Sequence, residues 1–533
     1  MKSLRSFFLA VTCLVTMTMT AQQPQSKAQM NAQKLGTTLY LIENFYVDTA
    51  NLDKVTEDAI IAALKELDPH SAYISKKDVE KANEPLVGSF EGIGVTYQLI
   101  RDTSTVISPT AGGPSEKVGI MTGDQIIKID GEDAFGKKID NEYVQKRLRG
   151  KKGTKVTVGV KRGSDPELID FEITRDKIPL NSINAAYMLD NHIGYIKLDR
   201  FAQESTQEFK EAFTKLQAQG MESLIFDLRG NTGGYLNTAI ELVDQFIDEG
   251  KLIVFTEGIH SPRQEWRSTA AGLYTTGKLV VLIDEGSASA SEILSGAIQD
   301  HDRGVVIGRR SFGKGLVQRP FNLPDGAQIR LTTSRYHTPS GRCIQRPYEK
   351  GAEDYAKEME KRLKHGEYYH ADSIHFPDSL KFKTDGGRTV YGGGGIMPDL
   401  FIPVDTAYNS KLYTNLVRKG ALNRFTTDYA LKHRDEIKAQ YGDFENFNKD
   451  FVVGQDLVNG LKKAAEEAKV EWNEEQFNRS EKFLLLQIKA LIARNVWETQ
   501  EYYRVMASTD PGIQKAIEIL NDNKAFNKIL SNK

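Results

Sequence analysis

Residues 279–298 read LVVLIDEGSASASEILSGAI, an apolar run followed by a short polar segment and a second apolar pattern. The run at 279–283 predicts a buried strand. The second pattern predicts a helix at 290–300, with an apolar face formed by Ala290, Ile293, Leu294, Ala297 and Ile298. A strand that passes through a short turn directly into a helix is typical of an α/β domain with parallel strands.

The alternation of strand and helix continues on both sides of this stretch. The predicted strands lie at 193–198, 224–228, 252–256, 279–284 and 304–308, and the predicted helices at 209–216, 239–247 and 290–300. Residues 88–177 instead have short β-rich runs between Gly and Asp turns, with one helix at 141–148. Residues 35–67 and the segment from about 405 onward have helical spacing. We therefore predict an α/β core, a β-rich domain and helical regions at both ends.

The composition is that of a globular protein with several domains. Its 533 residues are 40% apolar and 27% charged, and at about 150 residues per domain this length corresponds to three or four domains. The 70 Lys+Arg and 72 Asp+Glu residues give a net charge of −2. This balance argues against a nucleic-acid binder that relies on an overall positive field. No apolar run beyond the N-terminus is long enough for a polytopic membrane protein.

The N-terminus predicts export. Residues 1–21 have a basic start, an apolar core at 7–15 and a small residue, Ala21, at the expected cleavage site of a secretory signal peptide. The alternative, a membrane anchor, needs a longer apolar run. We therefore expect a periplasmic or otherwise exported protein with no transmembrane span after cleavage. Cys343 is then the only cysteine of the mature chain, so an intramolecular disulfide is not expected.

Ser289 lies at the turn between the predicted strand and helix, where a serine is well placed as a nucleophile. The first N–H groups of a helix can stabilise a developing oxyanion, and the helix dipole favours that charge. The alternative role is structural, because Ser289 and Glu292 have the spacing of a capping box. Spacing alone favours the cap, since most serines at helix starts have that role.

A nucleophilic serine needs a base, and Lys314 is the better candidate. His301 is twelve residues further along the same helix, about 18 Å from Ser289, and cannot reach it. A lysine can act as the base where burial disfavours its charged form. The alternative is an ordinary solvated lysine in a loop.

Two other kinds of catalytic site are weakly indicated. Residues 308–314 approximate a phosphate-binding P-loop, but Gly315 occupies the position of the Mg²⁺-binding Ser or Thr and 316–320 predicts a strand rather than a helix. His365, His370 and His375 are five residues apart, which does not align them on one helix face, and the H-E-x-x-H motif is absent. We therefore expect neither an ATPase nor a metal site, and no cofactor.

A third segment, residues 227–234, reads DLRGNTGG at the end of a predicted strand. Glycines there let backbone N–H groups approach a ligand closely, although an ordinary glycine-rich turn has the same composition. Together with SASASE at 287–292 and FGKG at 312–315, this segment resembles the motifs of the carboxy-terminal processing (tail-specific) proteases. The resemblance implies a Ser–Lys peptidase on a crotonase-like α/β core.

The resemblance also implies a role for individual residues. Ser289 corresponds to the nucleophile of the family, Lys314 to its base, and Gln318 to the glutamine that orients the lysine. The oxyanion hole would consist of the N–H of Ala290 and one further N–H from the glycine pair Gly233 and Gly234. The sequence does not distinguish between these two glycines.

Residues 88–177 resemble the PDZ domain of the same family, inserted before the core. Its carboxylate-binding loop corresponds to Gly92, Ile93, Gly94 and Val95. The resemblance implies protein substrates as partners, held by their C-terminal tails through strand pairing. A second copy of the chain or an activating adaptor is left open as a further partner, and nucleic acid is not expected.

The predicted organisation follows from these assignments. From the N-terminus it comprises a signal peptide at 1–21, a helical region at 22–87, the PDZ domain at 88–177, the protease core at 178–404 with an insertion at about 350–390, and a helical extension at 405–533. The predicted function is that of an exported serine endopeptidase that cleaves near the C-termini of proteins. The alternative is a non-catalytic, PDZ-containing scaffold that only binds peptides.

Overall fold

The computed structural model describes residues 26–100, 102–136, 139–163 and 165–531. The predicted signal peptide at 1–21 lies outside the described residues. The chain divides into two compact units, Met1–Tyr73 and Ile74–Lys533. Within the described ranges, no helix is both long enough and apolar enough to cross a membrane.

The strands number 21 in the described residues. They are β1 Ala72–Ile74, β2 Ser89–Gly92, β3 Val95–Ile100, β4 Thr103–Pro109, β5 Gln125–Ile129, β6 Glu132–Asp133, β7 Lys155–Lys161, β8 Leu168–Thr174, β9 Asp176–Pro179, β10 Ile183–Met188, β11 Ile193–Leu198, β12 Ser223–Asp227, β13 Leu252–Gly258, β14 Ser261–Arg267, β15 Lys278–Ile283, β16 Val305–Gly308, β17 Leu316–Asn322, β18 Gln328–His337, β19 Lys381–Lys383, β20 Thr389–Tyr391 and β21 Leu400–Phe401.

The helices of the same residues begin and end as follows. They are α1 Lys27–Phe45, α2 Leu52–Lys65, α3 Val79–Val87, α4 Pro114–Lys117, α5 Asn141–Leu148, α6 Ser205–Ala218, α7 Leu236–Asp244, α8 Ala290–Asp300, α9 Ala352–Ala356, α10 Glu358–Lys364, α11 Lys411–Arg418, α12 Ala421–Tyr441, α13 Phe444–Asp450, α14 Gln455–Glu467, α15 Glu474–Val496, α16 Thr499–Met506, α17 Pro511–Asn521 and α18 Asn523–Ser531. Three short 3₁₀ turns lie at Ala371–Ser373, Asp378–Leu380 and Ala507–Thr509.

The core is a six-stranded sheet in the order β10-β11-β12-β15-β16-β21. Its strands are parallel from β11 to β21, whereas β10 pairs with β11 in the antiparallel direction. The prediction of parallel strands is confirmed for 193–198, 224–228, 279–284 and 304–308, but it is wrong for 252–256, because β13 pairs antiparallel with β14 and β18 in a second sheet. The central strands β11 and β12 are buried along their whole length because both faces of the sheet are covered. Helices α6, α7 and α8 cover one face, with Phe209, Leu242 and Leu294 in the shared core.

The C-terminal helices cover the opposite face of this sheet. Ile513 and Ala516 of α17 and Phe526 of α18 share a buried cluster with Tyr195 and Val280 of the sheet. Helices α11 to α16 form a separate apolar core. The extension after residue 405 is helical, as its spacing predicts, and its last two helices supply one layer of the α/β core.

A second, antiparallel sheet contains β17, β18, β13 and β14. The β17–β18 hairpin follows Lys314 directly, and β18 continues into pairing with β13. Strands β14 and β18 were not predicted from the sequence, because their polar and charged side chains do not produce a clear alternation.

Residues 88–177 contain an antiparallel sheet in the order β3-β4-β5-β7-β8, with α5 packed against it. Strands β2 and β9 pair where the chain enters and leaves this region. The segment at 350–390 has more regular structure than its turn-rich sequence predicts, because it contains α9, α10 and the β19–β20 hairpin.

Candidate active site

One cavity of about 970 Å³ brings the predicted catalytic residues together. Six of them line it: Ser289, Ala290, Lys314, Gln318, Gly233 and Gly234. The predicted peptide-binding residues 92–95 are not among its lining residues and span the last residue of β2, the turn at Ile93 and Gly94, and the first residue of β3.

Ser289 is held in an unusual backbone conformation, with φ 56° and ψ −111°. A non-glycine residue with positive φ carries about 1–3 kcal/mol of strain, and such residues cluster at functional sites. Its N–H donates to Oε2 of Glu292 at 2.8 Å, so the capping-box interaction expected from the spacing is present. The N–H of Ala290 has no hydrogen-bond partner among the described residues. The start of α8 therefore offers a free donor beside Ser289.

The carboxylate of Glu292 joins the serine turn to the loop that carries Lys314, which we define as the lysine loop, residues 309–315. Besides the N–H of Ser289, it accepts the N–H groups of Gly313 at 2.7 Å and Lys314 at 2.9 Å and the hydroxyl of Ser311 at 2.5 Å. The side chain is completely buried. Burial raises the pKa of Glu292 to about 7, although the bonds from Ser311, Lys314 and Gly313 each lower it. The sequence suggested only the capping role of this residue.

Two more contacts fix the serine turn against the lysine loop. The hydroxyl of Tyr336 lies 2.6 Å from the carbonyl oxygen of Lys314 and 3.1 Å from that of Ser289, so it donates between the two. The N–H of Phe312 donates to the carbonyl of Ser287 at 3.0 Å. The relative position of the serine and the lysine therefore rests on buried hydrogen bonds as well as on the sheet.

The lysine loop does not have the form of a P-loop. The chain continues from it into strand β17 rather than into a helix. The N–H groups of Gly313 and Lys314 already donate to a carboxylate, so they are not available for a phosphate.

Gln318 lies on β17, and its Nε2 donates to Oγ1 of Thr332 at 3.2 Å. Its amide is thereby oriented at the wall of the cavity that Lys314 also lines.

The glycine-rich loop, residues 227–234, approaches Ser289 closely at Gly233. A Cβ on Gly233, whose φ is 101°, would lie 2.8 Å from both Cβ of Ser289 and the carbonyl oxygen of Ala288, so only glycine fits. The N–H of Gly233 donates to Oδ1 of Asn231 at 2.9 Å. Within the described part of the chain, the N–H of Gly234 has no such partner. Of the two glycines, Gly234 therefore has the available donor.

Asn231 and a charged cluster hold the glycine-rich loop from behind. The carbonyl of Asn231 accepts the N–H of Ala288 at 3.0 Å, and its side chain donates to the carbonyl of Leu198 at 2.9 Å. The carboxylate of Asp227 is buried beside the guanidinium of Arg229, 2.6 Å away. Burial raises the pKa of Asp227, but the charges of Arg229 and Lys197 outweigh it and lower this pKa to about 2.

Arg229 also reaches the C-terminal extension. Its Nη1 donates to both carboxylate oxygens of Asp510, at 2.8 and 2.9 Å. Asp510 caps helix α17 through the N–H groups of Gly512 and Ile513. The glycine-rich loop is thus connected by a side chain to the layer of helices that covers the far face of the sheet.

The predicted peptide-binding loop has donors and an open strand edge. The N–H groups of Ile93 and Gly94 have no hydrogen-bond partner among the described residues, and Gly94 has a φ of 72°. Strand β3 follows directly and forms one edge of its sheet. The hydroxyl of Tyr97 on β3 reaches the carbonyl of Asn141 at the start of α5, at 3.3 Å. A strand edge beside a helix, with free N–H groups at its start, suits an extended peptide with a terminal carboxylate.

Comparison with known proteins identifies three segments of the chain. Residues 192–353 match Peptidase family S41, and residues 92–173 match the PDZ domain. Residues 412–498, within the helical extension, match a family of unknown function.

Individual relatives match more than half of the chain. The chain is 35% identical over 318 residues to a probable CtpA-like serine protease of Staphylococcus aureus strain MRSA252, an alignment that covers 59% of this chain and 63% of that protein. The probable CtpA-like serine protease of Staphylococcus epidermidis is also 35% identical, with the same coverage of 59% and 63%. The chain therefore spans 63% of the length of these relatives. The solved structure of a photosystem II D1 C-terminal processing protease is 27% identical, with a TM-score of 0.35 and coverage of 60% of this chain and 91% of that one.

Proposed function

We propose, on the premise that residues 192–353 belong to peptidase family S41 and residues 92–173 form a PDZ domain, that this protein is a serine endopeptidase that cleaves proteins near their C-termini. The observation that carries the proposal is one cavity lined by Ser289, Lys314 and Gln318 together with two N–H groups that have no partner among the described residues.

In the proposed mechanism, neutral Lys314 takes the proton of the Ser289 hydroxyl, and Oγ of Ser289 attacks the carbonyl carbon of the scissile peptide. The tetrahedral intermediate collapses with loss of the amine of the C-terminal fragment, which receives the proton from Lys314. Water then attacks the acyl-enzyme, again with Lys314 as the base, and releases the new carboxyl end. Gln318 orients the lysine, because its Nε2 is held by Thr332 and its carbonyl oxygen remains as an acceptor for the amine.

The proposed oxyanion hole consists of the N–H groups of Ala290 and Gly234. Both residues line the cavity, and neither N–H has another partner in the described residues. The first N–H of a helix also carries the positive end of the helix dipole, which favours the negative oxygen of the intermediate.

The proposed substrates are proteins that present a C-terminal tail to residues 92–95. The free N–H groups of Ile93 and Gly94 and the edge of β3 support tail binding by strand addition.

The pattern of residues 1–21 supports a periplasmic or otherwise exported protein. The helix layers on both faces of the sheet support a crotonase-like core, and the β2–β9 pair supports an inserted PDZ domain.

Cleavage of an unfolded reporter with a free apolar C-terminus tests this function. The wild-type protein, Ser289→Ala and Lys314→Ala are compared by intact mass, with Ser295→Ala on the same helix as the matched control. Ser295 donates to the carbonyl of Ser291 and does not line the cavity. We expect the wild type and Ser295→Ala to cleave and the other two variants to bind the tail without cleavage. Tail binding without cleavage by the wild type would instead support the non-catalytic scaffold.

A further inference from the structure

The insertion at about 350–390 reaches the lysine loop through one buried arginine. Arg362 lies on α10 and is only 2% exposed. Its Nη1 donates to the carbonyl of Ser311 at 3.0 Å, and its Nη2 donates to the carbonyl of Arg310 at 2.7 Å. A guanidinium presents its donors in a fixed plane, so these two bonds fix two successive peptide groups of the loop at once.

The charge of Arg362 is balanced within the same segment. Oε2 of Glu367 lies 3.2 Å from Nε of Arg362 and 2.6 Å from Nη2 of Arg310. Two buried guanidinium groups therefore share one carboxylate. Burial, together with the neighbouring charge of Arg362, lowers the pKa of Arg310 to about 10, although Glu367 opposes the change. Buried ion clusters of this kind are weak sources of stability but impose a definite geometry.

A second contact from the insertion holds the aromatic residue of the loop. The guanidinium of Arg346 stacks between the rings of Phe312 and Tyr355, with centroids 4.1 and 3.8 Å away. Tyr355 belongs to α9 of the insertion. The N–H of Arg346 donates to the carbonyl of Gly313 at 3.0 Å, which places this stack directly against the residue before Lys314.

These contacts complete the hydrogen bonding of a loop that has no regular secondary structure. The N–H groups of Gly313 and Lys314 donate to Glu292, and the carbonyl of Lys314 accepts from Tyr336. The carbonyls of Arg310 and Ser311 have their donors only in Arg362 among the described residues. Removal of this side chain leaves these two buried carbonyls unpaired, which loosens the segment before the base while the bonds of Gly313 and Lys314 to Glu292 remain.

We propose that the insertion positions the lysine loop and that Arg362 is a positioning residue for Lys314. The inference rests on the proposed Ser–Lys function, but it concerns the geometry of the base rather than its identity. Because the bonds of Arg362 are made to the backbone before Lys314 and Arg362 does not line the cavity, the chemical step depends on it and substrate binding does not.

The test compares steady-state kinetics of Arg362→Met, Arg362→Lys and the control Lys364→Met with those of the wild type. Lys364 lies on the same helix, and its side chain is 70% exposed in an ion pair with Glu360, so its replacement removes a charge without touching the loop. We expect a fall in kcat of about 10- to 100-fold for Arg362→Met with KM within about twofold, since a misplaced base weakens stabilisation of the transition state but leaves ground-state binding of the substrate unchanged. Arg362→Lys retains the charge but not the planar set of donors, so its kcat should lie between that of the wild type and that of Arg362→Met.

Thermal melting curves and the folded fraction are measured for each variant. Unchanged kcat in folded Arg362→Met, or a loss that only follows its folded fraction, overturns the inference. If Arg362→Met does not fold, the kcat and KM of Arg362→Lys decide by the same criterion. Cleavage by the wild type but not by Ser289→Ala is scored first, so that a failure of the proposed function is distinguished from a failure of the role of Arg362.

Discussion

Replacement of Glu292 by glutamine separates the charge of this side chain from its hydrogen bonds. The two carboxylate oxygens accept four donors, with Ser311 and Gly313 on Oε1 and Ser289 and Lys314 on Oε2. A glutamine retains one acceptor oxygen and replaces the other by an NH₂ group. The NH₂ group fits best at the Oε1 position, because the hydroxyl of Ser311 can rotate to accept from it. The N–H of Gly313 then has no acceptor.

This substitution has two opposite effects on the free energy of unfolding. A buried N–H without a partner costs about 1–3 kcal/mol. Against this, burial raises the pKa of Glu292 from 4.5 to about 7, which corresponds to about 3 kcal/mol of destabilisation by the ionised carboxylate above pH 7. At pH 8 we therefore expect the free energy of unfolding of Glu292→Gln to lie within about 2 kcal/mol of the wild type.

The pH dependence has a definite sign. Because the pKa of Glu292 is higher in the folded than in the unfolded chain, its favourable contribution is fully present below about pH 4.5 and is lost as the pH rises through about 7. Urea unfolding of the wild type and Glu292→Gln, both carrying Ser289→Ala to prevent self-cleavage, measures this at pH 5 and pH 8. The stability difference between the two should shift by about 2–3 kcal/mol in favour of the glutamine variant at the higher pH, because a small part of the effect is already present at pH 5.

Activity should fall although stability does not. The freed N–H adjoins Lys314, and a loss of about 1.4–2.7 kcal/mol in the transition state lowers kcat about 10- to 100-fold at pH 8. The control is Glu474→Gln, whose side chain is 63% exposed in an ion pair with Lys462 at 2.7 Å and which should retain activity within about threefold. A folded Glu292→Gln protein with wild-type kcat would refute the conclusion that this carboxylate positions the base.

Three further changes test other parts of the site. Gly233→Ala places a Cβ against Ser289 and should lower kcat more than about 100-fold. The control Gly230→Ala is also at positive φ, but its Cβ would have no atom within 4 Å, so it should mainly lower the melting temperature. Equal activities of the two variants would contradict the close approach of Gly233 to Ser289. Asp510→Ala removes the cap of α17 and a partner of Arg229 and should lower the free energy of unfolding by about 2 kcal/mol, measured by urea titration. C-terminal amidation of the reporter should weaken its binding about tenfold or more in a calorimetric titration, and undiminished affinity would argue against carboxylate capture by residues 92–95.

The local elements of this protein were predictable from its sequence. The helix predicted at 290–300 is α8, and the helix predicted at 141–148 is α5. These predictions succeed because apolar periodicity depends on residues within a few turns of each other. The polar strands β14 and β18 were missed for the same reason, since their alternation is weak and pairing with neighbouring strands stabilises them instead.

The residues lining the cavity were found by resemblance, but the groups that hold them were not. Glu292 has the spacing of a capping residue and forms that contact, yet nothing near it in sequence indicates that the same carboxylate accepts two N–H groups from residues 313 and 314. The distinction between Gly233 and Gly234 likewise depends on Asn231, whose side-chain oxygen accepts the N–H of Gly233. Both facts depend on where separate segments meet.

By itself, the sequence determined most strands and helices of the α/β core and the glycine-rich turns, because short-range patterns of apolarity and turn-forming residues encode them, whereas the serine and the lysine were identified by resemblance. Only the tertiary structure decided that an insertion supplies Arg362 to the lysine loop and that the C-terminal helices cover one face of the sheet. Arg229 and Asp510 are 281 positions apart, and no local propensity relates them. Such contacts arise from the burial of surfaces against each other, which depends on the packing of the whole chain.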